Sequence, residues 1–270
     1  LRRQRQMCIR DRYRVKNPYA TIVLLHGWHG GLRTRLSRIA MWFAWNNFDA
    51  VQFALPYHRE RTPQGLRSGE KFFTTDMEQS FNAYRQAIID LMYLADVLPR
   101  KKETLGVMGW SLGAIIMHTL MGVDERYKVG VSILGAGHIH RIVWEGLAGR
   151  FIRKFLKKHG ITKKDYYIVL EDYAEYLKQV KEHRELPVTQ FKWYYIDPMS
   201  FANFNQSRKV LFINGWFDEI IPRDIVREFC RYLGNPPIIW LPTGHMSIRL
   251  FWFYILKKAI NFFKKHLKND

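Results

Sequence analysis

A disulfide framework is the first thing this chain lacks. Its two cysteines, Cys8 and Cys230, cannot supply one, so the fold does not depend on an oxidising compartment. Long charge-free apolar runs are missing as well. The run at 251–256 is short and meets Lys257 and Lys258, which excludes a spanning helix there. No nucleic-acid-binding motif is present, and the lysines are spread over several segments, so no nucleic-acid partner is expected. Acidic residues are scarce, 24 against 43 Lys and Arg, for a formal charge of +19. Such a surface attracts anionic partners but says nothing about fold. Beside His26 and His29 there is no carboxylate or cysteine at metal-ligand spacing, so both read as loop-packing residues; neither a metal nor a cofactor is expected.

Residues 1–12 also lack an initiating Met, an apolar core and any period. No apolar stretch follows their arginines, so they do not read as a signal peptide. They resemble the translated adapter read-through found at broken ends of metagenomic assemblies. The expectation is a non-native leader over 1–12, with the true N-terminus and any targeting signal missing, and a cytoplasmic rather than secreted protein. Removing their five arginines and one aspartate lowers the charge from +19 to +15, so the protein stays basic.

What is present is a sheet-building rhythm. With 270 residues, 47% of them hydrophobic, the chain can bury the core of one large α/β domain. Six short apolar runs, near 20–25, 49–55, 104–108, 128–134, 209–213 and 237–241, alternate with helical patterns. That alternation predicts a mainly parallel sheet flanked by helices. Residues 76–98 give the clearest amphipathic helix, with Met77, Phe81, Tyr84, Ile88, Leu91 and Ala95 at three- and four-residue steps. Between 135 and 206 the strand–helix alternation stops, and only helical or irregular segments follow. This stretch is expected to be a helical cap inserted between core segments 13–134 and 207–270. Within it, 150–164 carries seven basic residues and no acidic one, a face suited to acidic substrates or to weak contact with anionic surfaces.

The chain is organised around Gly109-Trp110-Ser111-Leu112-Gly113. A strand-like run precedes it and a helical pattern follows, the setting in which Gly-x-Ser-x-Gly forms a nucleophile elbow. A serine held in so sharp a turn requires neighbours with almost no side chain. The run at 20–25 ends in His26-Gly27-Trp28-His29-Gly30-Gly31, whose glycines let backbone amides face outward at a strand end. The Trp28 and Leu112 amides are the candidate oxyanion donors. A long polar loop after 55 can wall the same edge, with His58 and Arg59 either touching substrate or pairing with Glu60 or Glu70. Asp218 and His245 each follow a strand directly, so their loops converge on Ser111 if the sheet is parallel. Asp197 precedes a proline in the cap and Asp224 falls inside a helix, which makes them weaker candidates for the acid. His118, His138, His140 and His183 read as packing or surface residues.

From about Tyr19 to the end, the sequence resembles the α/β-hydrolase superfamily. The glycine-rich run after the first strand, Gly-Trp-Ser-Leu-Gly, Gly-Trp-Phe-Asp-Glu-Ile-Ile-Pro at 215–222 and Thr-Gly-His at 243–245 match its landmarks, as does the order Ser, Asp, His. The resemblance implies an α/β-hydrolase fold with a lid. It also implies acyl transfer, with Ser111 as nucleophile, His245 as base and Asp218 as its orienting acid. Serine at the elbow departs from the Asp of haloalkane dehalogenases and epoxide hydrolases and from the Cys of dienelactone hydrolases. The loop style is nearest to dienelactone-hydrolase and prolyl-oligopeptidase-like esterases. The antiparallel strands that usually open the family's sheet are not evident before residue 20. The expected substrate is a small-molecule carboxylic ester, held by an aromatic wall of Trp28, Trp110, Trp144, Trp216 and Phe217. A thioester, amide or acyl acceptor is an alternative use of the same residues, and a non-catalytic lipid- or polyanion-binding role is a third. Oligomeric state is not encoded in any motif.

Overall fold

A computed structural model describes residues 9–28, 33–98 and 105–267. His29, Gly30 and Gly31 of the first glycine-rich loop lie outside these residues, as do 1–8 of the expected leader. In chain order the strands are β1 (Ile9–Tyr13), β2 (Thr21–Leu25), β3 (Asp49–Phe53), β4 (Leu105–Trp110), β5 (Tyr127–Ile133), β6 (Lys209–Gly215) and β7 (Ile238–Leu241). They form one sheet in the order β1-β3-β2-β4-β5-β6-β7, parallel throughout except for antiparallel β1 at the edge.

The registers follow from side-chain alternation. Val23, Val51 and Val107 sit level across β2, β3 and β4 on one face, while Ile22, Ala50 and Met108 point to the other. Both faces are covered, so these strands are buried along their whole length. On one side lie α1 (Arg33–Trp45) and α9 (Trp252–His266), which bury Phe43 and Phe263 at 5.8 Å centroid separation. On the other lie α2 (Met77–Val97), α3 (Leu112–Val123) and α8 (Arg223–Tyr232). The α2 helix starts where its sequence demands: the Asp76 side chain accepts the Gln79 amide N–H at 3.0 Å, a standard N-cap.

Residues 135–206 contain no strand among the described residues. They hold α4 (Ile139–Glu145), α5 (Arg150–Lys158), α6 (Lys163–His183) and α7 (Ala202–Asn205), with short 3-10 turns between them. The α6 helix begins with a capping box, Thr162 and Asp165 satisfying each other's backbone N–H groups. No described helix is long and apolar enough to cross a membrane.

The last residues of the expected leader, 9–12, take part in the sheet. Ile9 to Tyr13 forms β1, pairing Ile9 with Phe53, Arg12 with Val51 and Tyr13 with Ala50. Apolar alternation could not reveal this strand, because Arg10, Asp11 and Arg12 make its centre charged, as suits an edge. It is pinned by Arg12, which donates to Asp49 Oδ2 at 2.7 Å, while the same carboxylate accepts the Val15 amide at 2.9 Å. At least one antiparallel strand therefore opens the sheet before residue 20.

Candidate active site

Strand order reverses between β2 and β4: the chain moves from β2 outward to β3, then returns to β4 and proceeds the other way. At such a switch point the loops leaving the two strands diverge and open a crevice. Ser111 stands at the end of β4 and the 26–28 loop at the end of β2, so both flank it.

The elbow is built from steric exclusion. Ser111 has φ 51° and ψ −116°, outside the regions that residues with a side chain adopt freely, and such strain costs about 1–3 kcal/mol. It is held by the Ser111 amide donating to Ile133 O at 2.8 Å, and by Ser111 O accepting the Ala114 and Ile115 amides at 2.8 and 3.0 Å. A Cβ on Gly113 would lie 2.6 Å from Leu25 O, and one on Gly109 would lie 2.5 Å from Ala114 Cα. Both glycines are therefore required by packing, and the turn projects Ser111 Oγ from the sheet edge.

His245 Nε2 lies 3.0 Å from Ser111 Oγ, and His245 Nδ1 lies 3.0 and 2.9 Å from the two carboxylate oxygens of Asp218. A carboxylate only accepts, so the imidazole proton belongs on Nδ1 and Nε2 is left to accept the serine hydroxyl. Asp218 Oδ1 also accepts the amides of Ile220 and Ile221, both at 2.9 Å, which fixes the carboxylate. The two loops are stitched together: Trp216 N donates to Leu241 O at 2.7 Å, and Phe217 N to Thr243 O at 3.0 Å.

Sequence reading missed one residue of this framework. Glu219 Oε2 accepts the His245 amide at 3.1 Å, which ties the backbone of the histidine loop to the acid loop. Its only signal was its place directly after Asp218. The competing carboxylates have other tasks. Asp224 pairs with Arg141 at 2.5 Å. Asp197 is fully buried and accepts the amides of His138, Ile139 and Met199 at 2.8, 2.5 and 2.9 Å. Burial pushes its carboxyl up to about 6 despite those donors.

Four other histidines are wholly or partly buried. Burial pushes His26, His118 and His138 down to about 3 and His140 to about 4, so all four are neutral at pH 7. His26 Nε2 accepts the Leu55 amide at 3.2 Å, and His118 stacks on Phe212 with centroids 4.9 Å apart. His58 does not face the crevice, contrary to its reading as a substrate contact. It is wholly buried, with Nδ1 2.8 Å from Pro56 O and its ring against Phe72. The long loop is stapled instead by Arg61 and Asp90, a buried pair at 2.7 Å.

The expected aromatic wall does not assemble either. Trp110 packs against Trp252 of α9 at 5.8 Å, on the face of the sheet that α1 and α9 cover. Trp216 stacks under Arg223 at 4.0 Å and meets Trp240 at the far sheet edge. Trp144 lies with Tyr166 in a cap cavity of ≈ 670 Å³ that none of Ser111, Asp218 and His245 lines. Phe217 and Trp28 are exposed, Phe217 beside Asp218 in the chain and Trp28 next to Gly27. The Trp28 indole donates to Gly69 O at 3.0 Å, anchoring the β2 loop to the long loop. A Cβ on Gly27 would lie 3.5 Å from Ser111 Cβ, so the backbone entering Trp28 passes directly beside the elbow. Leu112 opens the twelve-residue α3, whose N-terminal amides point at the serine end.

No family model matches this sequence, and no curated protein does. Solved structures do match. The esterase Pf2001 of Pyrococcus furiosus superposes with a TM-score of 0.56 at 15% identity, over 93% of this chain and 83% of that one. An α/β-hydrolase, GrgF, from Penicillium sp. sh18 gives 0.62 at 12% identity, over 95% and 93%. A cold-adapted esterase from an Arctic intertidal metagenomic library gives 0.55 at 16% identity, over 93% and 84%. At these identities the likeness is one of fold: the chain has the α/β-hydrolase fold.

Proposed function

We propose that the protein is a serine hydrolase that cleaves carboxylic esters through an acyl-enzyme on Ser111. The observation that carries this reading is the continuous relay from Ser111 Oγ through the His245 ring to Asp218, mounted on a strained elbow. Serine is a weak nucleophile at its own pKa and needs an adjacent base. As Ser111 Oγ bonds to the acyl carbon, its proton passes to His245 Nε2, and Asp218 stabilises the imidazolium. His245 then returns the proton to the leaving alkoxide as the C–O bond to the alcohol breaks. Water enters by the same route: His245 takes its proton, the hydroxyl bonds to the acyl carbon, and Ser111 leaves reprotonated. The Leu112 and Trp28 amides are the proposed oxyanion donors, each worth about 10²–10³ in kcat. Residues 135–206 are proposed as the lid, since they pack over the acid loop: Leu147 N donates to Glu219 O at 2.9 Å.

Turnover of a graded series of p-nitrophenyl esters tests the reading. Ser111→Ala is expected to lose about 10⁶ in kcat and to stop reacting with a fluorophosphonate probe. Equal turnover by wild type and Ser111→Ala would remove it. Esterases stand among the structural neighbours, as does an acylaminoacyl peptidase of Pyrococcus horikoshii, so an ester and an amide are the first two classes to compare. Product analysis with each of these classes separates the alternatives.

A further inference from the structure

The C-terminal helix has two apolar faces, and only one is covered. Ile248, Ile255, Leu256, Ala259, Ile260 and Phe263 are buried against the sheet. On the outward side, Met246 and Leu250, at and in the 3-10 turn that leads into α9, and Phe253 and Tyr254, in its first turn, are exposed, Leu250 by 80% and Phe253 by 70%. Trp42 of α1 extends this surface: its ring meets Phe253 at 5.8 Å and Trp45 at 6.1 Å, and Trp45 is 72% exposed. Isolated apolar residues on a surface are ordinary, whereas a contiguous aromatic patch marks a contact.

The charge around the patch identifies what it contacts. Neither α1 nor the stretch from Ser247 to His266 contains an Asp or Glu. Arg38, Arg249, Lys257 and Lys258 border the apolar residues, all of them exposed, and Lys258 Nζ lies 5.3 Å above the Tyr254 ring. Aromatic and aliphatic side chains ringed by cations suit the boundary between acyl chains and anionic headgroups. A second copy of this chain would bring the same cations against themselves, on a protein already at +19. The sequence had placed any lipid contact on the basic segment 150–164. In the fold, Ile152, Phe155 and Leu156 of α5 (Arg150–Lys158) are half-covered, and the exposed Tyr167 and Ile168 of α6 share that helix with the exposed acids Asp165, Glu171 and Asp172, whereas α1 and α9 hold no acid.

We infer that the outward face of α9, with the end of α1, docks on an anionic lipid surface. The docking itself does not rest on the esterase reading, because it is measured by binding alone.

Co-sedimentation with vesicles of phosphatidylcholine, with and without phosphatidylglycerol, tests it. Wild type is expected to pellet with the anionic vesicles, to remain largely in solution with the neutral ones, and to be released by added salt. Leu250→Ser/Phe253→Ser should weaken binding by about tenfold or more, because two apolar anchors are lost. Lys257→Gln/Lys258→Gln should weaken it by about fivefold per lysine near the surface. Both variants should keep the wild-type circular-dichroism melt, since all four side chains are exposed, and Leu250→Ser alone serves as a second check. Ser111→Ala should bind as wild type does, so failure of the catalytic reading leaves this result legible. Absence of binding to anionic vesicles would overturn the inference. So would unchanged binding by the folded double-serine variant, or a wild-type dimer that this variant dissociates.

Discussion

Two buried carboxylates invite comparison. Asp218 and Asp197 both lie in loops beside the carboxyl ends of strands, and both accept several backbone N–H groups. Asp218 turns its remaining capacity towards an imidazole; Asp197 uses both oxygens on the starts of two helical turns. One carboxylate orients a ring that can carry charge, while the other holds the entry to the cap. A hydrogen-bonded buried acid is therefore not in itself a sign of catalysis. What separates the two is the group each one faces: an imidazole that reaches on to a serine hydroxyl for Asp218, and the buried Tyr173 hydroxyl for Asp197.

Exchanging their side chains breaks the comparison most directly. Asp218→Asn should lower kcat by about 10⁴ with an unchanged melt, because the wrong imidazole tautomer is favoured. An activity loss below about tenfold would remove Asp218 from the proposed relay. Asp197→Ala should do the reverse. Orphaning three buried amides should cost about 3 kcal/mol or more, read as a lower urea midpoint, with kcat within about threefold for the folded fraction.

A graded effect is expected from pH, and here the sign distinguishes acids from bases. His26, His118, His138 and His140 have folded values below the ordinary 6.5, so they favour the native state when neutral. Their contribution is complete above about 6.5 and is lost as pH falls towards 3–4, at about 1.4 kcal/mol per pH unit for each. Asp197 runs the other way. Its folded value of about 6 exceeds the ordinary 3.8, so its protonated form favours the native state, and that contribution fades as pH rises through about 6. Four histidines outweigh one aspartate, so urea midpoints should fall steadily from pH 7 to pH 5. A flat profile would mean that the histidines are not buried as neutral rings.

The mildest change is Glu219→Gln. It keeps an oxygen to accept the His245 amide but removes the charge, and should lower kcat by about tenfold or less without shifting the melt. Glu219→Ala should cost more than Glu219→Gln, because the tie between the two loops is then gone. Equal effects would show that the carboxylate matters through its charge alone.

Much of this molecule was legible because its instructions are local. Steric exclusion around Gly109 and Gly113 acts within five residues, so the elbow could be read directly. Residue alternation gave the parallel strands, and strand ends placed Asp218 and His245 in loops that converge. Features carried by backbone alone, or by distant partners, were hidden. β1 pairs without an apolar pattern and relies on Arg12 reaching Asp49, 37 residues away. Aromatic residues were read as a pocket wall because side-chain identity does not encode direction. In the fold Trp110 turns to α9, Trp144 to the cap cavity and Trp216 to the outer edge. His58 shows the same lesson, since its polarity suggested a contact while its packing removed it from solvent.

By itself, then, the sequence determined the parallel α/β architecture, the strained serine turn and the order of the three residues aimed at one another. Those depend on short-range sterics and on a period that any stretch of chain carries within itself. Only the tertiary structure decided that Glu219 ties the loops, that Arg12 pins β1 to the sheet edge, and that α9 leaves an aromatic face uncovered. These depend on how far an element rotates as its neighbours pack, which is a property of the assembled core and of no single segment.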